Sequence, residues 1–211
     1  MAVAFSPRRL RTATATGQLD EVQALILGEG RSVDGVYSSR TGASLLYAAA
    51  AAGHCPVVAW LLSQHADVEL ARHDGATPLL AASSKGHAAV VAELIRAGAD
   101  VNKCKASGTS PLCAAAQRGY HGVVSQLLDA GADVNLMCSG GFSALYKAAQ
   151  GGHDLTAALL LSRGADANTS APDGSTPLLT AAYIGNGPMV RLLADHRDGG
   201  ECPDISRRCT A

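Results

Sequence analysis

The sequence predicts an all-α fold, a solenoid of about six stacked helix-turn-helix units joined by short β-hairpin fingers. Three observations predict it. Glycine recurs at Gly42, Gly75, Gly108, Gly141 and Gly174, a spacing of 33 residues at every step. A second glycine ladder (Gly53, Gly86, Gly119, Gly152, Gly185) and a leucine ladder (Leu61, Leu94, Leu127, Leu160, Leu193) run in phase with it. Apolar residues make up 47% of the 211-residue chain but aromatics only 4%, so a core must be built from Leu, Val, Ile and Ala. Such small, uniform side chains suit short, closely packed helices. One further copy lies upstream at an offset of 36, carrying Leu10, Gly17, Val22 and Leu25.

The segment from Asp74 to Ala106 shows how each element arises. Thr77 before Pro78 reads as an N-cap followed by proline at the first helical position. A short Ala-rich helix follows over Pro78–Lys85, and Gly86 ends it by supplying a left-handed residue. A second helix over Ala88–Ala97 places Val90, Val91, Leu94 and Ile95 on one face, and Gly98 stops it in the same way. Asp100, Asn102 and Gly108 then suit a turn or short hairpin. Neither helix is long enough to be stable alone in water. Its apolar stripe must be buried against the next copy, so stability is a sum of nearest-neighbour terms. Pro56 and Pro188 sit four periods apart in the first turn of their helices, where a missing N–H is tolerated.

The units read as 9–41, 42–73, 74–106, 107–139, 140–172 and 173–196, one elongated repeat domain over 9–196. Residues 1–8 form an N-terminal leader, and 197–211 drop the apolar pattern and read as a disordered tail. Arg8, Arg9 and Arg11, with no acid before Asp20, permit a transit-peptide reading. Leu10, Ala13 and Gly17 already lie in repeat register, which favours a structural role. Seventeen Lys and Arg against 18 Asp and Glu leave a formal charge of −1, so no global field draws the chain to nucleic acid or anionic lipid. No apolar stretch is long enough to cross a bilayer. The six cysteines have no regular spacing and suggest no disulfide framework, which points to a reducing compartment. Cys113 reads as a core residue, and Cys104 and Cys138 as finger thiols.

The pattern resembles the ankyrin repeat. Thr77-Pro78-Leu79, Ser110-Pro111-Leu112 and Thr176-Pro177-Leu178 carry the resemblance, with Gly53-His54, Gly86-His87, Gly152-His153 and the Gly-Ala-Asp-Val-Asn runs at 98–102 and 131–135. A near copy of that run lies at 164–168. Two departures stand out. The histidine that closes the family's Thr-Pro-Leu-His motif is here Tyr47, Leu80, Cys113, Tyr146 and Leu179, so its hydrogen bonds are not carried over. Leu45 and Ala144 replace the proline, which should loosen those helix starts slightly.

Catalytic chemistry has no support in the sequence. Gly28-Glu29-Gly30 lacks the later glycine of a phosphate loop, and no Ser-His-Asp or Cys-His arrangement is locally supported. His54, His87 and His153 are in phase, so they should sit one helix spacing apart, roughly 8–10 Å. Ligands of one zinc lie only about 2.0–2.1 Å from the metal, so the three read as structural residues of the inter-helix turn. The spacing of His196, Cys202 and Cys209 fits no zinc finger. Asp67, Asp100, Asp133 and Asp166 read as caps on local backbone N–H groups. No cofactor and no metal is expected.

What the resemblance implies is a non-catalytic interaction module, an adaptor or scaffold, binding a protein or peptide on the concave surface of finger tips and first helices. The alternative is a regulatory or targeting part of a larger enzyme whose catalytic domain lies outside this chain. Carried over by register, the binding residues are Arg40, Arg72, His73, Lys85, Lys105, Arg118, Phe142 and Tyr183. The first half of that surface reads as basic and unmatched by acids, and the second as uncharged, with Phe142, Tyr183 and Ile184 as apolar anchors. The expected partner is a protein or peptide with an acidic and an apolar end, and nucleic acid and membrane insertion are not expected. Trp60, on a second helix, reads as semi-buried packing. In the family the asparagine of the Val-Asn position can also be hydroxylated by a dioxygenase; Asn102, Asn135 and Asn168 match it, with ordinary turn chemistry as the simpler reading. A monomer is expected, cytoplasmic or nuclear.

Overall fold

In the structure, a computed structural model that describes residues 7–28, 30, 32–38 and 40–197, the helices come in six pairs. They are α1 (Pro7–Thr16) with α2 (Leu19–Leu27), α3 (Leu45–Ala52) with α4 (Cys55–Ser63) and α5 (Pro78–Lys85) with α6 (Ala88–Arg96). Then come α7 (Pro111–Gln117) with α8 (His121–Asp129), α9 (Ala144–Gly151) with α10 (Asp154–Ser162), and α11 (Pro177–Ile184) with α12 (Gly187–Arg197). First helices pack side by side in one layer and second helices in another, each against its neighbours in the series. The expected leader starts its first helix at Pro7, and the rest of the leader and residues 198–211 of the expected tail lie outside the described residues.

The starts of the first helices follow from their caps. Ser44, Thr77, Ser110, Ser143 and Thr176 are extended residues whose hydroxyls accept the N–H of the residue three positions on, satisfying a donor the helix itself leaves open. The same cap is made where Leu45 and Ala144 replace the proline. The cap bond is 3.1 Å at Ser44 and Ser143 and 3.2 Å at Thr77, because the hydroxyl and not the proline ring makes it. The core is one column running through both layers. Leu61, Leu94, Leu127, Leu160 and Leu193 are all fully buried, and the small side chains of Ala49, Ala82, Ala115, Ala148 and Ala181 let successive first helices approach closely. Trp60 is half-buried against this core, as expected. No described helix is long and apolar enough to cross a membrane.

The first finger carries a short antiparallel pair, β1 (Val36–Ser38) with β2 (Ala43–Ser44), and a single bridge joins Cys138 and Phe142 in the fourth. The others are tight turns closed by one backbone bond, such as Arg72 N–H to Ala76 C=O and Lys105 N–H to Thr109 C=O. Successive fingers are linked as well. The N–H of His73, Ala106 and Ser139 donates to the C=O of Thr41, Asp74 and Gly108 in the preceding finger, at 3.0, 2.9 and 3.2 Å. The next residue in phase is Pro172, which has no N–H to give, so this series of bonds stops before the last finger.

One expectation is overturned. Cys113 and Cys138 are joined by a disulfide, with their Cα atoms 6.6 Å apart. Cys113 is the third residue of α7 and Cys138 belongs to the finger that packs over it. The fold of that finger over α7 brings together two residues 25 apart, a separation unrelated to the period and so invisible to a search for regular spacing. Cys113 is buried as expected, but Cys138 is not a free finger thiol, and the expectation of no disulfide does not hold.

Two stability outcomes follow from this packing. Ser83 stands where the in-phase residues are Ala50, Ala116 and Ala149, and its fully buried hydroxyl has no hydrogen-bond partner. Ser83→Ala should therefore raise stability by about 1 kcal/mol in a denaturant titration. Gly131 and Gly119 both have φ near +80° (86° and 70°), but a Cβ would meet nothing at Gly131 and the His153 ring at 2.4 Å at Gly119. Gly131→Ala should cost about 1–2 kcal/mol from backbone conformation alone, and Gly119→Ala clearly more in the same titration.

Candidate functional site

The stack is interlocked on two of its edges, and those edges account for several candidate residues. At the inter-helix turns, the Nε2 atoms of His54, His87 and His153 lie 2.7, 3.3 and 3.2 Å from the C=O of Ala15, Ala51 and Gln117 in the preceding unit. Each ring covers a left-handed glycine, Gly17, Gly53 or Gly119, where any Cβ would collide with it. These histidines close the open C-terminal carbonyls of the helix below. Tyr120 lies over Gly86 in the same way. Among the described residues no group of His, Cys, Asp and Glu is placed to hold a metal, and Cys202 and Cys209 lie outside those residues.

At the opposite edge runs a polar ladder. Asp67, Asp100, Asp133 and Asp166 each accept, through the carboxylate, the N–H of the residue two positions on. Their own N–H groups donate to the unit before: Asp133 to Asn102 Oδ1 and Asp166 to Asn135 Oδ1, both at 2.9 Å. Glu69 and Asp34 fill the same role for Asp100 and Asp67. Asn135 also donates its amide to the C=O of Gly164. The amide oxygens of Asn102 and Asn135 are thus holding neighbouring units together. Asn168 is exposed at the next rung. Lys103 bridges units too, 2.8 Å from Glu69, which holds its ammonium group above the usual lysine range.

The partner-facing candidates lie on the finger side of the first helices. Arg72, Lys105 and Arg118 line one cavity of about 300 Å³ between α5 and α7, with Asp74 at its edge and Ala76, Leu80 and Ala114 as an apolar floor. Arg72 is held in place: Nη1 donates to the Tyr47 hydroxyl at 3.2 Å, and the guanidinium lies 5.3 Å from that ring's centre. The Tyr47 hydrogen bond, with Asp74 adding its charge, holds Arg72 above the usual arginine range. Arg72 Nε lies 3.7 Å from Asp74, so this cation is matched by an acid, contrary to the expectation of an unmatched basic half. Among the described residues Lys85, Lys105 and Arg118 have no ion-pair partner.

Tyr183 lines a second cavity, about 660 Å³, between α9 and α11, with Tyr146, Leu179, Ile184 and Asp173. Tyr183 is 94% exposed and Leu179 59%, so large apolar surface faces solvent here. This half is not uncharged as expected. Asp173 sits at the rim, its carboxyl held below the usual range by the Ser175 hydroxyl at 2.6 Å and the Ser175 N–H at 2.9 Å. Lys147 Nζ lies 4.3 Å from the centre of the Phe142 ring, which packs on Tyr146 at 4.6 Å. Phe142 is therefore half spent inside its own unit. Arg40, His73, Lys85 and Phe142 line neither cavity. Arg40 and Lys85 are exposed at the finger and at the end of α5, and the His73 ring lies over Gly42.

Sequence reasoning passed over one column. Tyr47 and Leu80 line the first cavity and Tyr146 and Leu179 the second, while Cys113 between them is bonded to Cys138. These are the five positions where the motif's histidine is replaced, and that variation within an otherwise regular repeat was the signal that marked the groove.

A model of the family described as Ankyrin repeats (3 copies) matches the chain three times, over residues 10–104, 79–171 and 145–210. No curated protein matches the chain.

The polar ladder has a measurable consequence. Asn102→Ala removes the acceptor for the Asp133 N–H at an exposed site and should lower stability by about 0.5–1.5 kcal/mol. Faster hydrogen exchange at Asp133 than at the equivalent Asp166 would be its local signature.

Proposed function

The chain belongs to the ankyrin repeat family, whose repeats are protein-binding modules, and we propose that it acts as a non-catalytic adaptor holding an extended segment of a partner protein along its finger-side groove. The observation that carries this reading is the pair of cavities on one face, the first lined by three cations and the second by exposed Tyr183, Leu179 and Ile184. Exposed aromatic and arginine side chains are the usual anchors of interfaces. Most of the groove is built on helices capped and packed in the same way in every unit, so little ordering is required on binding.

The geometry sets a length for the segment. The first cavity lies between α5 and α7 and the second between α9 and α11, two repeats further on. At roughly 8–10 Å per helix spacing, their centres are about 16–20 Å apart. An extended chain covers about 3.3 Å per residue, so an acidic and an apolar side chain five or six residues apart would reach both. The groove thus fits a segment with one acidic and one apolar anchor, and no cofactor has a role in this reading.

The test uses the two unpaired cations, since Arg72 is tied to Tyr47 and Asp74. Lys105→Glu with Arg118→Glu should leave the thermal melt within about 2–4 °C of the parent protein, and reduce capture of partner proteins from cell extract at least tenfold. Tyr183→Ala should weaken capture of the same partners. Full retention of those partners by both variants would refute binding in this groove.

A further inference from the structure

The charge and the donors of the first cavity are more than one carboxylate can use. Three cations, Arg72, Lys105 and Arg118, face one acid, Asp74, which leaves a formal charge of +2 in a space of about 300 Å³. Asp74 is already occupied, since its Oδ1 accepts the N–H of Ala76 at 3.2 Å. Donors are in surplus as well. Arg72 is oriented by Tyr47, yet its Nε is shielded from water and has no hydrogen-bond partner. Lys105 and Arg118 have no ion-pair partner among the described residues, while the Ser84 hydroxyl is already given to the Ala81 C=O and that of Thr109 pairs with Ser107.

A glutamate or aspartate side chain would bring one negative charge and two oxygens. A phosphate monoester brings about −1.5 to −2 and three strong acceptor oxygens, which matches the cavity in both charge and hydrogen-bond count. A phosphodiester carries one charge per phosphate and fits no better than a carboxylate. The volume lies at the lower end of ligand pockets. The apolar floor of Ala76, Leu80 and Ala114 strengthens the field of the cations above it.

We infer that the cavity between Arg72, Lys105 and Arg118 is a receptor for a phosphorylated serine or threonine side chain of the segment lying in the groove. This rests on the groove reading above and adds to it that the partner is recognised in its phosphorylated form. The second, apolar cavity at Tyr183 lies on the same finger side of the first helices, which favours a side chain on a peptide over free phosphate.

The test titrates the isotope-labelled full chain with N-acetyl-phosphoserine amide, N-acetyl-glutamate amide, inorganic phosphate and a single-stranded oligonucleotide. The phosphoserine derivative should shift amides around Arg72, Lys105 and Arg118 and bind about tenfold more tightly than the glutamate derivative. Lys105→Gln with Arg118→Gln should abolish that preference with the melt unchanged, and Asp74→Asn, which raises the local charge, should tighten phosphoserine binding. In parallel, the immobilised full chain is offered two peptide libraries that differ only in a fixed phosphoserine or glutamate. Preferential retention of the phosphoserine library is expected. Equal retention of both, dependent on Lys105 and Arg118, would overturn phosphate recognition and leave the groove reading standing. Retention of neither would remove both. Preference for the oligonucleotide, or for inorganic phosphate over the phosphoserine derivative, would also overturn the inference.

Discussion

No unit of this chain can bury its own apolar sides, and every other feature of the structure depends on that constraint. Helices of seven to eleven residues are too short to persist alone. Leu61, Leu94, Leu127, Leu160 and Leu193 are fully covered only because a second unit supplies the other wall. The junctions are then secured on three lines: histidine rings over left-handed glycines, the Asp–Asn ladder, and the finger-to-finger backbone bonds. Burial provides the driving force and these polar contacts set the register, since each satisfies a backbone group that the helix ends and turns leave open.

The groove is a by-product of the same stacking. A first helix that packs through alanine on its buried sides has one flank left, and that flank faces the fingers. The residue at the third helical position of α3, α5, α9 and α11 therefore lines a cavity of the groove. Here that column is Tyr47, Leu80, Cys113, Tyr146 and Leu179, with the disulfide to Cys138 in the middle. To one side, Tyr47 fixes Arg72 among three cations; to the other, Tyr146 and Leu179 adjoin Tyr183. A repetitive scaffold thus presents a non-repetitive surface, which is how one architecture can select among partners.

The scaffold was legible in the sequence because its causes are local and periodic. A threonine or serine before a helix, a glycine after it and a leucine stripe within it each act on their own unit and recur every 33 residues. The reading of His54, His87 and His153 as structural followed from that phase, and that of the aspartates from the capping chemistry of a short side chain. What was not legible depends on contacts that do not follow the period. Cys113 meets Cys138 across 25 residues. Asp74 comes within reach of Arg72 through the turn of its own finger, and Lys147 covers Phe142 because the finger folds back on α9. Register placed Arg72, Lys105 and Arg118 on one face, but only the packing of α5 on α7 shows that they share one cavity while Arg40 and Lys85 stand apart.

The central claim, that stability is drawn from neighbours, is tested most directly by hydrogen exchange measured amide by amide along the full chain. Interior pairs, α5–α6 and α7–α8, have a neighbour on each side, whereas among the described residues α11–α12 packs only on the α9–α10 side and lacks the finger bond that Pro172 cannot make. Protection should therefore peak in the interior pairs and fall toward α11 and α12. Equal protection in α11–α12 and α7–α8 would show that a helix pair is stable in its own right, and would contradict the account.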